Sequence, residues 1–145
     1  MVMNNTTYDF TNSWFEEFAK GVWDSLIPQL NPTRILEIGS YEGASACYLI
    51  EKLAASKEIE IHCVDTWEGG LEHNKLGMSD VEKRFHHNTK IAIGKIENNV
   101  ELNLHKEFSD VALSKLISEG KQGYFDFIYV DGSHQAPDVK AVIAV

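Results

Sequence analysis

Residues 34–43 read Arg-Ile-Leu-Glu-Ile-Gly-Ser-Tyr-Glu-Gly, and this stretch decides the fold. A short apolar run carrying one acid is followed by two glycines four positions apart, Gly39 and Gly43, and then by a helical pattern. The order predicts a strand, Arg34–Ile38, that enters a tight turn and then a helix. Such a turn directs backbone N–H groups and the positive end of a helix dipole toward a ligand. Glycines that serve only the backbone conformation give the same local pattern, so the rest of the chain must decide.

The bulk composition predicts one soluble domain. The 145 residues are 43% hydrophobic and 24% charged, which is typical of a globular protein. The net charge of −9 disfavours binding to nucleic acid or anionic membranes. No apolar stretch approaches the ~20 residues of a membrane span, and the N-terminus lacks a secretory signal pattern. Cys47 and Cys63 have no metal or redox spacing and are expected to be buried. We therefore expect a cytoplasmic protein without nucleic-acid or membrane partners.

The N-terminal part divides into a tail and a helix. Residues 1–12 are polar and are expected to be flexible, so the domain proper is predicted over residues 13–145. Apolar residues at helical spacing predict a helix over residues 13–27 that ends at Pro28 and packs against the sheet. The residues of the predicted buried face are Phe15, Phe18, Val22 and Leu26.

Strand and helix patterns alternate along the remaining chain. Further strands are predicted over Glu60–Asp65, Asn99–His105 and Phe125–Asp131, and helices are predicted after Gly43, from Met78 to about Ile96, from Ser109 to Gly120 and after Pro137. This alternation predicts an α/β fold, a Rossmann-like doubly wound parallel sheet with strand order 3-2-1-4. Ligands of such sheets bind at the carboxyl ends of the strands, beside the switch point between strands 1 and 4.

Two segments at those carboxyl ends carry candidate ligand contacts. Asp65 ends strand 2, where an acid can accept hydrogen bonds from both ribose hydroxyls; the alternative is that it caps the following turn. After strand 3, Phe108 could stack on an adenine ring, and Glu107 or Ser109 could reach the exocyclic amine of that ring. The alternative for this loop is that Ser109 caps the next helix and Phe108 lies in the core.

The end of strand 4 is the second strong signal. Asp131 ends an apolar run and is followed by Gly132 and, three positions after the acid, by His134. These side chains would lie at the mouth of the cleft, where a metal, a proton acceptor or a methionine moiety would bind. His134 could act as a general base or form a structural hydrogen bond. The other strand and helix histidines, His62 and the pair at 86–87, lack ligand spacing and are expected to be structural.

With these three signals in order, the chain resembles the class I S-adenosylmethionine (SAM) methyltransferases. More narrowly, it resembles the small-molecule O-methyltransferase-like group that includes the macrocin- and cephalosporin-biosynthesis enzymes. The matching pieces are residues 36–43, Leu-Glu-Ile-Gly-Ser-Tyr-Glu-Gly, residues 64–67, Val-Asp-Thr-Trp, and residues 125–134. The resemblance covers roughly residues 30–140.

The resemblance implies a cofactor and site residues. The methionine end of SAM would be lined by Glu37, Gly39, Ser40 and Gly43, the ribose would be held by Asp65 with Thr66, and the adenine would be bordered by Glu107, Phe108 and Ser109. Asp131 and His134 would be the catalytic candidates, and Asp131 would be the metal ligand if a divalent cation such as Mg²⁺ is used. The reaction would transfer the SAM methyl group to an oxygen or nitrogen of a small-molecule acceptor.

The sheet of that family has seven strands, whereas this sequence ends after four and the helix that follows. Relative to the family, the chain therefore resembles a truncated domain without strands 5–7. Strand 4 would then be an apolar edge with unpaired backbone groups, which predicts a homo-oligomer formed through that edge.

Two other functions are compatible with the sequence. One is a noncatalytic module that keeps the SAM or nucleotide site for regulation or assembly. The other is an NAD-binding Rossmann domain, which shares the fold and the acid of strand 2. The spacing Glu-x-Gly-x-x-x-Gly disfavours the NAD-binding domain because dinucleotide enzymes carry Gly-x-Gly-x-x-Gly.

Overall fold

The computed structural model describes residues 7–68, 75–97 and 99–131. Within them the chain alternates helices and strands. The elements in chain order are α1 (Trp14–Phe18), α2 (Lys20–Leu30), β1 (Arg34–Ile38), α3 (Ala44–Leu53), β2 (Ile59–Val64), α4 (Lys75–Gly94), β3 (Val100–His105), α5 (Ser109–Ser118) and β4 (Phe127–Val130). The predicted strands are confirmed with boundaries shifted by at most two residues, and the helix predicted after Pro137 lies outside the described residues.

The four strands form one parallel sheet in the order β3-β2-β1-β4, which confirms the predicted α/β fold. The register places Ile38, the last residue of β1, beside Val64 on one side and Val130 on the other. Val64 in turn lies beside His105, the last residue of β3. All four strands therefore end at one level, and the loops that follow them share one edge of the sheet.

Helices cover both faces of the sheet. On one face, α2, α3 and α4 pack on strand residues such as Ile35 and Ile61, and this larger core includes Trp23, Ile27, Leu49, Ile50 and Phe85. On the other face, α5 packs Leu113 and Leu116 on Leu36, Ile38 and Val64. The change of face between Ile35 and Leu36 follows the period-two alternation of a strand. Both cysteines are buried and unpaired, as predicted.

The N-terminal helix differs from the prediction in its boundaries and its buried face. It is interrupted at Ala19, and α2 continues past Pro28 to Leu30 because the amide of Asn31 still bonds to the carbonyl of Ile27 at 2.7 Å. Phe18 and Val22 are 77% and 65% exposed, whereas Trp23 and Ile27 are buried. The predicted face was therefore wrong for Phe18, Val22 and Leu26.

Two apolar stripes with the same spacing explain this error. Residues 15, 19, 23 and 27 recur every fourth position, and so do residues 14, 18, 22, 26 and 30, so both satisfy a helical period. Trp23 decides which stripe faces the sheet, because its ring makes edge-on contacts with Phe127 at 5.4 Å and Tyr129 at 4.7 Å between ring centroids. The second stripe consequently lies on the outer surface of α1 and α2.

The segment before α1 is bonded to the body of the domain. The amide of Asp9 donates to Oδ1 of Asn88 in α4 at 2.7 Å. Thr11 donates from its amide at 2.9 Å and from its hydroxyl at 2.6 Å to the carboxylate of Glu42. Residues 9–11 thus run beside the loop that joins β1 to α3.

None of the described helices is long and apolar enough to cross a bilayer.

Candidate functional site

The loops that follow the four strands meet at the carboxyl edge of the sheet. One residue beyond β1, β2 and β4, the backbone ladder continues: the amide of Gly39 donates to the carbonyl of Val64 at 2.8 Å, and the amide of Asp131 donates to the carbonyl of Ile38 at 2.8 Å. The amide of Asp65 donates to the carbonyl of His105 at 3.2 Å. The structure therefore brings together the glycine turn, the acid after β2, the loop after β3 and the acid after β4.

The glycine turn requires glycine at both of its ends. Gly39 and Gly43 have φ of 88° and 86°, a left-handed region that residues with a Cβ rarely adopt. Gly43 is also the N-cap of α3, and a Cβ at this position would lie 3.0 Å from Cδ2 of the buried Phe85. Its amide donates to the carbonyl of Ser40 at 2.8 Å, which closes the turn. The turn thus brings the N-terminus of α3 to the edge of the sheet.

A buried carboxylate, Glu37, lies under this turn. Its side chain is fully buried and accepts a hydrogen bond on Oε2 from the hydroxyl of Ser45, in the first turn of α3. Its other oxygen, Oε1, and the buried hydroxyl of Ser40 have no partner in good hydrogen-bond geometry among the described residues, although Ser40 lies close to the carboxylate. Burial raises the pKa of Glu37 to about 7, and the hydroxyls of Ser45 and Ser40 oppose that rise. Two buried polar atoms without partners beside a glycine turn fit a site that a polar ligand group completes.

Asp65 ties the glycine turn to the loop after β2. Its Oδ2 accepts a hydrogen bond from the amide of Tyr41 at 2.9 Å, and its Oδ1 accepts one from the amide of Trp67 at 2.8 Å. The indole of Trp67 returns a hydrogen bond to the carbonyl of Tyr41 at 2.8 Å. The turn-capping alternative for Asp65 is therefore present in the structure. Each carboxylate oxygen can accept a further hydrogen bond, so these contacts are compatible with binding of a ribose. The ribose role of Asp65 stays a prediction.

The loop after β3 presents an exposed aromatic ring. Phe108 is 66% exposed, which makes the core alternative for this residue wrong. It also occupies the N-cap position of α5 in an extended conformation, so Ser109 is the first helical residue and not the cap. Glu107 pairs with Lys115 at 2.8 Å. The adenine contacts of Glu107, Phe108 and Ser109 stay predictions, with Phe108 accessible to a ligand.

The remaining candidates lie after β2 and β4. The hydroxyl of Thr66 accepts a hydrogen bond from the amide of Glu68 at 3.2 Å. Asp131 directly follows β4 and lies near Tyr129. The pKa of Tyr129 is raised, mainly by burial and to a smaller extent by the charge of Asp131. His134 lies outside the described residues. Within residues 7–68, 75–97 and 99–131, no three acidic, histidine or cysteine side chains are grouped to hold a metal ion, so the predicted divalent cation gains no support.

Sequence reasoning missed two residues of the turn itself. Tyr41 adopts a φ of 50°, and its ring stacks on Trp14 at 5.9 Å between centroids. Glu42 is buried and bonded to Thr11, and its carbonyl accepts a hydrogen bond from Asn88 at 2.9 Å. Both lie between the two glycines, where the pattern specified only the spacing. The contacts of Glu42 come from segments 31 to 46 residues away in sequence, which no local signal reports.

Comparisons with known proteins bear on the family of the chain. Residues 36–145 match the model of a protein family described as a methyltransferase domain. Over 136 residues the chain is 26% identical to an uncharacterized protein, y4gI, of Sinorhizobium fredii, a match that covers 92% of this chain and 13% of that protein. A crystal structure from Klebsiella pneumoniae, provisionally described as an O-methyltransferase, aligns with a TM-score of 0.49 at 20% identity. That alignment covers 87% of this chain and 46% of the other. The chain thus spans less than half the length of either protein.

Proposed function

The chain belongs to the methyltransferase-domain family, and from this premise we propose that it binds S-adenosylmethionine and serves methyl transfer to an oxygen or nitrogen of a small molecule. The observation that carries the proposal is the pair of unpartnered buried atoms at the glycine turn, Oε1 of Glu37 and Oγ of Ser40. An unpartnered buried polar atom loses about 1–3 kcal/mol of stabilisation. A polar group of the methionine moiety would recover it.

Three of the four loops at the carboxyl edge would each hold one part of the cofactor. Glu37, Ser40 and the backbone at Gly39 and Gly43 would hold the methionine moiety. Asp65, whose carboxylate is fixed by two backbone amides, would accept hydrogen bonds from the ribose, with Thr66 beside it. For the adenine, the exposed ring of Phe108 offers a stacking surface, bordered by Glu107 and Ser109.

The chain's contribution to the reaction would be orientation and proton transfer. When bound, S-adenosylmethionine supplies an electrophilic methyl group on its sulfonium sulfur. Aligning an acceptor with that group can lower the barrier to the reaction by about 7–11 kcal/mol. Asp131 lies beside the glycine turn through its bond to Ile38, where its carboxylate could receive the proton of an acceptor hydroxyl or amine. His134 is the second candidate for this step.

Calorimetry tests the cofactor assignment. We expect S-adenosylhomocysteine to bind and NAD to give no heat. Binding of NAD alone would overturn the assignment in favour of a dinucleotide-binding domain. Binding of S-adenosylhomocysteine without methyl transfer to any of a panel of catechols, hydroxylated macrolides and amines would favour the noncatalytic module.

The partners follow from charge and topology. The net charge of −9 is compatible with a small-molecule acceptor and with the absence of nucleic-acid and membrane partners.

In the described part of the chain β4 pairs on one side only, with β1. We propose that two copies associate along the other side of β4. Light scattering tests this, because a monomer at high concentration would contradict it.

A further inference from the structure

A line of hydrogen-bonded side chains joins β2 to β3 outside the proposed cofactor contacts. Oε2 of Glu60 lies 2.7 Å from Nε2 of His62, and Nδ1 of His62 lies 2.9 Å from Nε2 of His105. Glu60 and His62 belong to β2, and His105 is the last residue of β3. The planes of the two imidazole rings are 18° apart, with 5.2 Å between centroids, and His62 is buried. This carboxylate–histidine–histidine line shares no side chain with the proposed cofactor contacts.

The geometry limits the protonation states of the line. An ionised carboxylate only accepts hydrogen bonds, so Nε2 of His62 carries a proton. When His62 is neutral, its Nδ1 accepts and Nε2 of His105 donates. One additional proton can be shared by the pair, since an imidazolium still donates to a neutral imidazole. Two additional protons replace the hydrogen bond with two donors and two positive charges facing each other across 2.9 Å.

The line ends at the backbone of the proposed cofactor site. The carbonyl of His105 accepts hydrogen bonds from the amide of Asp65 at 3.2 Å and from the amide of Glu107 at 3.0 Å. One carbonyl therefore positions both the residue proposed to hold the ribose and the loop proposed to border the adenine. The side chain of His105 is in turn fixed by His62, and that of His62 by Glu60.

Charged groups from three segments surround the pair. Glu101 of β3 lies beside Glu60, and the hydroxyl of Tyr124 donates to Oε1 of Glu60 at 2.6 Å. Near His105 are Glu107 from the loop and Lys115 from α5, with Glu119 directly after that helix. Burial lowers the pKa of His105 most, and the neighbouring His62 lowers it further. Glu107 and Glu119 oppose this decrease but do not cancel it. The surroundings of His105 therefore disfavour a positive charge on its ring.

We propose that the Glu60–His62–His105 line positions the ribose- and adenine-binding loops, so that cofactor affinity falls when both histidines are protonated. The inference rests on the proposed function. His62 and His105 are positioning residues in it, since their side chains act through the carbonyl of His105. It makes binding depend on proton concentration through groups that need not touch the ligand.

Two variants of His105 separate the effect of its hydrogen bond to His62 from the effect of its side-chain volume. In His105→Gln the side-chain amide can still donate to Nδ1 of His62 but cannot be protonated. We expect its affinity for S-adenosylhomocysteine to stay within about threefold of wild type at neutral pH and not to show the decrease at acidic pH that we expect of wild type. His105→Leu leaves Nδ1 of His62 buried without a donor, and we expect at least about tenfold weaker binding at every pH. His87→Gln, whose ring bonds to the backbone of Thr7 far from this line, is the control and should follow wild type.

Nuclear magnetic resonance tests the line without ligand. In the free protein we expect the backbone amides of Asp65 and Glu107 to shift with the acidic titration of the histidine pair in wild type and to stay constant in His105→Gln. Amides that titrate identically in both proteins would overturn the inference, as would equal affinities of wild type, His105→Gln and His105→Leu at all pH values. If the amides respond as expected but S-adenosylhomocysteine does not bind, the line is supported and the proposed function is wrong.

Discussion

The carboxylate of Asp65 accepts a hydrogen bond from the backbone amide of Tyr41, with 2.9 Å between Oδ2 and the nitrogen. This bond joins the loop after β2 to the glycine turn after β1. Because the other oxygen of Asp65 bonds to the amide of Trp67, one side chain fixes both loops in the same relative position. A ligand that spans the two loops meets a site whose halves are already aligned, which reduces the entropy lost on binding.

Removing the charge of Asp65 should weaken cofactor binding. Asp65→Asn keeps one acceptor oxygen but replaces the other with a donor that faces a backbone N–H. We expect affinity for S-adenosylhomocysteine to fall about 10- to 100-fold, because a hydrogen bond to a charged group contributes roughly 1.5–3 kcal/mol. Calorimetry measures the change. The same substitution at Asp24, an exposed residue of α2, is the control and should leave affinity unchanged.

Three glycines separate backbone strain from steric overlap. Gly43 combines φ of 86° with a ring atom of Phe85 that would lie 3.0 Å from an added Cβ; Gly120 has φ of 82° and open space; Gly21 lies in α2 with open space and no positive φ. We expect Gly43→Ala to destabilise the fold by about 2–4 kcal/mol, Gly120→Ala by about 1 kcal/mol, and Gly21→Ala to stabilise it by about 0.5–1 kcal/mol. Urea denaturation gives all three values. Equal effects at Gly43 and Gly120 would mean that contact with Phe85 is unimportant.

Glu37 should make stability depend on pH. Its pKa is about 7 in the folded protein and 4.5 as the ordinary value, so the folded state holds this proton more tightly than the unfolded state. The free energy of unfolding should therefore decrease between pH 4.5 and 7, by roughly 3 kcal/mol from this group, and level off above the folded pKa. Glu37→Gln removes the titrating proton. Over that window wild type should therefore lose about 3 kcal/mol of stability relative to Glu37→Gln, which does not titrate, and a difference independent of pH would contradict the assignment.

Adjacent residues of α2 test which stripe is buried. Ile27 is fully buried and Leu26 is 36% exposed, although the two side chains have the same composition. We expect Ile27→Ala to destabilise the fold by about 2–5 kcal/mol and Leu26→Ala by about 1 kcal/mol or less. A larger loss of stability in Leu26→Ala than in Ile27→Ala, by thermal or urea denaturation, would indicate that the face predicted from the sequence is the buried one.

Phe108 should contribute to binding and not to stability. Stacking of a base on an aromatic ring contributes about 1–3 kcal/mol, so Phe108→Ala should weaken S-adenosylhomocysteine binding between about 5- and 100-fold. The free energy of unfolding should change by no more than about 0.5 kcal/mol because the ring is exposed. Leu30→Ala alters an exposed residue at the end of α2 and should change neither quantity. Unchanged affinity in Phe108→Ala would place the adenine elsewhere.

The sequence was sufficient where local patterns and the rules of parallel sheets determine the structure. The apolar strands and the right-handed crossover rule predicted the strand order, and the positions of Gly39 and Asp65 after their strands predicted the site edge. It was insufficient where two local solutions were equally periodic. The choice between the stripes of α2 depended on Phe127 and Tyr129, about a hundred residues later in the chain.

Long-range polar contacts were the second limit. His62 was expected to be structural from its place within a strand, and its bond to His105 depends on the register of β2 against β3. Likewise, Glu42 is buried because Thr11 supplies two donors, which the spacing of the glycines could not reveal. Buried polar residues require partners, but sequence alone does not identify those partners.

The bonds of residues 9–11 impose an order on folding during synthesis. This segment leaves the ribosome before α4, because its partner Asn88 is 79 positions later in the chain. At about 5–20 residues per second, several seconds pass before α4 is complete and the segment can bond to it. Until then Glu42 lacks part of the surroundings that bury it. Residues 9–11 are therefore synthesised before α4 but can attach to the domain only after α4 has formed.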